Sequence, residues 1–214
     1  MGNITTALKH FLSADDLKKH LFAYAKIDCI MCLDEVWLKV YHYDKHWVDG
    51  GHFFKVDDNC GDHYHILFAP QGCVIKGFDH ECEMSPYNFT PEIIISHDFY
   101  RGAPHWVTSL LNDPALENNI TTFCTWQFAG DISWNFAPLN IPTGWRDGTD
   151  TFLSFTPDLK SYQKWFEDDY YESELDFNLL ERIYNGEEIT ADMITAINPD
   201  ADVSAVLKLL REEF

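Results

Sequence analysis

The sequence predicts an α+β fold, a mostly antiparallel β-sheet with an N-terminal helix and a helical C-terminal layer. Two observations carry this expectation. Strand-like runs lie before residue 137 and helix-like runs after residue 156, the segregated order of α+β chains and not the alternation of a doubly wound parallel sheet. Two hairpin signals, Pro70-Gln71-Gly72 and Gly130-Asp131, sit inside the strand-rich half. With 214 residues, 46% of them hydrophobic, the chain can form a substantial core without disulfide staples. The expected division is an α+β sheet domain over 1–155 and an acidic helical segment over 156–214, packed on the same domain.

The first element is expected to be a helix. Ser13 supplies a cap, Asp15 and Asp16 suit the first turn, and Leu17, Leu21 and Tyr24 share one face up to about Ile27. Strands follow at about 36–43 and 52–56. The polar cluster 57–62 then turns the chain into strands at 63–69 and 73–79. Pro70-Gln71-Gly72 between these strands reads as a three-residue loop closed by a left-handed glycine. Residues 91–96 read as a buried strand or a helix start, and 103–112 as a helix with Pro104 in its first turn. A second hairpin pairs 122–129 with 132–137. Thr156-Pro157-Asp158 then reads as a helix start for 159–170, with further helices at about 174–184, 191–197 and 202–213.

Charge narrows the choice of function. Thirty-five acidic residues stand against 15 basic ones, a formal net charge of −20. Residues 147–214 hold 17 acids and 5 bases, so the negative field is densest over the helical end. Such a surface repels nucleic acid and anionic membrane and attracts basic proteins and cations. No apolar run is long enough for a membrane-spanning helix, and residues 5–12 are interrupted by Lys9 and His10, so the expected location is cytoplasmic. The myristoylation-like start at Gly2 and the sequons at Asn3, Asn88 and Asn119 are read as chance, and the six cysteines as free thiols.

Motifs that carry chemistry are sparse. The chain has no phosphate-cradling loop, nucleophile elbow, zinc-protease helix or dinucleotide fingerprint. Eight of its ten histidines lie between His42 and His105. His63 and His65 alternate along one strand and share a face, and a three-residue hairpin loop would set His63 opposite Asp79, with His80 following. His63, His65, Asp79 and His80 are therefore the candidate ligands of a divalent metal that would activate water. The His-x-His spacing resembles the first metal motif of the cupin family. The glutamate that follows in that motif is replaced here by Ile66-Leu67-Phe68-Ala69, and a second motif is missing.

Cys29-Ile30-Met31-Cys32 has the spacing of a zinc knuckle or redox pair but no second cysteine pair, and reads as small apolar residues at a helix-to-strand junction. Asp57 to Asp62 lacks the alternating order of a calcium loop. Carboxylate pairs and the aromatics Trp126, Phe128, Trp134 and Phe136 would suit a glycosidase, yet the aromatics read better as one hairpin's core face.

In the acidic C-terminal part, Trp165, Asp168, Asp169, Tyr170, Tyr171 and Glu172 interleave aromatic anchors with charges. Surfaces that capture basic proteins have this make-up. The preferred expectation is a non-enzymatic acidic binding protein that needs no cofactor and neutralises a basic protein partner, as a bacterial toxin-immunity protein does. The alternatives are a metal-dependent enzyme or metal-binding domain centred on the His-x-His strand, and a structural or interaction module of a larger assembly.

Overall fold

The protein is described from a computed structural model covering residues 11–33, 35–47, 49–88, 98–139 and 141–214. Six strands form one antiparallel sheet in sequence order: β1 (Tyr41–Asp44), β2 (His52–Asp57), β3 (His63–Ala69), β4 (Gly72–Phe78), β5 (Phe123–Phe128) and β6 (Asn135–Phe136). Helix α1 (Ala14–Met31) precedes the sheet and α2 (His105–Leu110) lies between β4 and β5. Five helices follow: α3 (Thr149–Ser154), α4 (Leu159–Trp165), α5 (Phe177–Tyr184), α6 (Ala191–Ile197) and α7 (Val203–Glu213). This is the expected α+β architecture.

Local chemistry starts and stops these helices. Ser13 Oγ accepts from Asp16 N at the start of α1, and Asp176, Thr190 and Asp202 cap α5, α6 and α7 in the same way. The cap of α4 is Asp158, not Thr156 as the Thr-Pro-Asp signal predicts. The Thr156 hydroxyl instead donates to the Phe152 carbonyl and closes α3, a helix the sequence reading did not anticipate. Beyond Trp165 the chain continues as a π-helical turn, Phe166–Tyr170.

The sheet has two buried faces. Tyr41, Phe54, Val56, Tyr64, Ile66, Ile75 and Phe123 point to one, where α1 and the C-terminal helices cover them in a tyrosine-rich core. Phe53, Leu67, Val74, Cys124 and Trp126 point to the other, beneath Met84, Phe99, Val107, Leu111 and Leu116. Gly77 lets the Phe123 ring cross β4, since a Cβ there would lie 2.0 Å from Phe123 Cε1.

The structure corrects several expectations. The β3–β4 loop holds two residues, because Gly72 already pairs with Ala69. Gly72 is glycine for another reason: its φ is +150°, and a Cβ would sit 2.0 Å from the Gln127 carbonyl oxygen of β5. Every β3–β4 pair therefore shifts by one, so His63 faces Phe78 and His65 faces Lys76. Residues 36–43 are not one strand. Val36–Leu38 forms an exposed 3-10 turn, and the Asp28 carboxylate takes the amides of Val40 and Tyr41, so pairing starts at Tyr41. In the second hairpin only Asn135–Phe136 pairs back. Trp134 turns into the helical core and donates Nε1 to the Leu12 carbonyl, while Ile132 is 92% exposed. The four hairpin aromatics are thus divided between the two faces, with Trp134 and Phe136 on the helical side, Trp126 on the other, and Phe128 exposed beside Trp106. Residues 91–96 lie outside the described residues.

Candidate functional site

The acidic-aromatic segment is built by the end of α4 and its π-helical turn. Trp165 and Tyr170 stack with centroids 4.7 Å apart at 19°, both half-buried. The Tyr170 hydroxyl donates to the Leu38 carbonyl and accepts from Asn59 Nδ2 at 3.4 Å. This seats the stack beside the turn Val36–Leu38, where Trp37 is 67% exposed. Asp168 pairs with Lys164 on the surface, and Asp169 and Glu172 are exposed. Glu172 holds φ +50°, and the chain turns there into a shallow hollow of about 530 Å³ rimmed by Glu167, Asp168, Glu172, Glu174 and Asp176. Glu167 has a structural task within that rim, accepting from Leu175 N and Gln163 Nε2.

Of the six residues expected at a partner surface, Tyr171 turns inward. Its hydroxyl donates to Asp28 Oδ1 at 2.9 Å and lies 3.2 Å from Cys32 Sγ. Asp28 is wholly buried, and its other oxygen accepts from Val40 N and Tyr41 N, each at 2.8 Å. Burial raises this carboxyl to about 7, against the opposing pull of these hydrogen bonds. One side chain of α1 thus ties together β1 and the segment that carries the Trp165–Tyr170 stack. Asp28 had no local signal, because an acidic residue in a helix reads as exposed. Trp37 was missed because its β-rich neighbourhood reads as strand.

The expected metal ligands do not gather. His63 and His65 do share a face, their rings 5.1 Å apart, and both are buried. The one-residue register shift takes Asp79 away from them. Its Oδ1 accepts from the amides of Glu81 and Cys82, and its Oδ2 from Thr151 Oγ1 at 2.7 Å. His80 turns to Asp62, with Nδ1 2.7 Å from Oδ1. This hydrogen bond raises the His80 pKa. Among the described residues no three His, Cys, Asp or Glu side chains are grouped to hold a metal. Cys29 and Cys32, at the end of α1, are buried and unbridged.

The surroundings of the two imidazoles are basic. Lys76 is wholly buried beside His65 and donates to the carbonyls of Leu116 and Glu117, at 2.5 and 3.0 Å. Burial and then the Lys76 charge hold His63 at about 4 and His65 at about 2, so both are neutral at pH 7. His63 Nε2 lies 3.3 Å from Glu117 Oε2 but out of line for a hydrogen bond, and His65 Nδ1 meets no partner.

Comparison with family models, curated proteins and solved structures finds no match in any of the three. Among the described residues no helix is long and apolar enough to cross a membrane.

Proposed function

We propose that this chain is a non-enzymatic acidic binding protein that neutralises a basic protein partner, as an immunity protein neutralises a bacterial toxin. The observation that carries the reading is the juxtaposition of an exposed Trp37 with the Trp165–Tyr170 stack and the acidic hollow beyond it. A large exposed aromatic serves as an anchor that binding buries, and the surrounding carboxylates accelerate encounter with a cationic surface. The net charge of −20 makes the same partner class favourable and nucleic acid and anionic membranes unfavourable. The site within this reading comprises Trp37, Trp165, Asp168, Asp169, Tyr170 and Glu172, with Tyr171 holding the segment in place from within.

The test is binding to, and protection from, any basic protein encoded beside this gene. Expected are a complex whose association rate falls with added salt, and rescue of cells that express the basic protein. Trp37→Ala should weaken the complex about tenfold or more. Replacing Asp168, Asp169 and Glu172 together with their amides should mainly slow association. Absence of both binding and protection overturns the proposal.

A further inference from the structure

A second feature lies behind the Val36–Leu38 turn. A cavity of about 260 Å³ opens between α1, the edge of β1 and α7, walled by Ala25, Val36, Tyr41, Leu209 and Phe214. Lys39 lines it and is itself only 9% exposed. An ammonium has three donors and no acceptor capacity. Among the described residues the one hydrogen-bond acceptor of Lys39 Nζ is Cys29 Sγ at 3.5 Å, a weak one. Asp28 acts on Lys39 only through its field, because its oxygens are occupied by Val40, Tyr41 and Tyr171. Glu213 also lines the cavity but makes no ion pair with Lys39 within 4 Å. A buried ammonium left this short of acceptors is costly unless something supplies them.

We propose that this cavity binds a small apolar carboxylate, its head group on Lys39 Nζ and its tail along Val36, Leu209 and Phe214. A carboxylate offers two oxygens to an ammonium in charge-assisted hydrogen bonds. A dianion such as phosphate is disfavoured, because Glu213 shares the cavity and the whole chain is strongly negative. A volume of about 260 Å³ leaves room for a six-carbon acid. This site is independent of the partner surface, since Trp37 does not line it.

The experiment titrates the full chain with hexanoate, using hexylamine as a probe of equal length and opposite charge. It follows the methyl resonances of Ala25, Val36 and Leu209. Hexanoate should shift these methyls and saturate, and hexylamine should not. Lys39→Met should weaken hexanoate at least tenfold while Lys39→Arg retains it. Equal binding of the two probes, or no shift at these methyls, overturns the proposal. If Lys39→Met fails to fold, the wild-type preference for hexanoate and its retention in Lys39→Arg decide the matter.

Discussion

Two sets of buried ionisable side chains, Asp28 on the helical face of the sheet and the bases on the other, are served in different ways. On the helical face Asp28 is one carboxylate with every approach filled: two backbone amides and a tyrosine hydroxyl. On the other face three bases are buried, and only Lys76 is well served, by two carbonyls. Both histidines there keep a ring nitrogen without a hydrogen bond. A satisfied polar group ties elements together, whereas an unsatisfied one subtracts from stability and waits for a change of pH.

The largest effect should come from the satisfied side. Asp28→Ala strands the amides of Val40 and Tyr41 and the Tyr171 hydroxyl, and should cost about 3–5 kcal/mol in a denaturant titration. Asp28→Asn, which keeps one acceptor oxygen, should cost less. If Asp28→Ala were nearly neutral, the clamp between α1, β1 and Tyr171 would not be holding those elements. Gly77→Ala tests the sheet between the faces. The added methyl meets the Phe123 ring and should cost about 1–3 kcal/mol by overpacking.

On the opposite face the expected sign reverses. His65→Leu removes an orphaned ring nitrogen at similar volume and should stabilise the protein by about 1–2 kcal/mol at pH 5. A loss comparable to that of Asp28→Ala would break the contrast between the faces.

The pH dependence sharpens it. The unfolded chain protonates these imidazoles below about pH 6.5, whereas in the fold His63 waits until about 4 and His65 until about 2. Their contribution is therefore fully present above pH 6.5 and is lost as pH falls through that window. Asp28 works the other way. Its carboxyl ionises near 3.8 when unfolded and at about 7 when folded, so stability declines as pH rises between those values. Thermal melts from pH 3 to 8 should show His65→Leu flattening the acid limb and Asp28→Asn removing the decline toward neutral. The smallest effect on stability belongs to the surface. Trp37→Ala should change the melt by no more than about 0.5 kcal/mol, which separates its proposed role in binding from any role in folding.

Much of the secondary structure was legible from neighbouring residues. Ser13 with Asp15 and Asp16 marks the start of α1, Asn185-Gly186 ends α5, and Asp202 starts α7. Caps and helix stops act within about four positions, so the residues that satisfy them sit side by side in the chain. Trp165, Asp168, Asp169, Tyr170 and Glu172 were legible as a surface segment for the same reason, since charge and aromatic content are local properties.

The sequence by itself determined the α+β class, the positions of the C-terminal helices, the strand identity of 52–56 and 63–69, and the acidic field. Only the tertiary structure decided the rest, because the deciding partners are far apart in the chain. The β3–β4 register follows from a two-residue loop in which Gly72 pairs with Ala69, and that single step removed Asp79 from the histidines. Tyr171 turns its hydroxyl inward because Asp28, 143 positions earlier, lacks its last donor without it. Lys39 is buried with its ammonium against Cys29 near the end of α1. In each case the sequence holds both partners, and only the folded chain brings them within bonding distance.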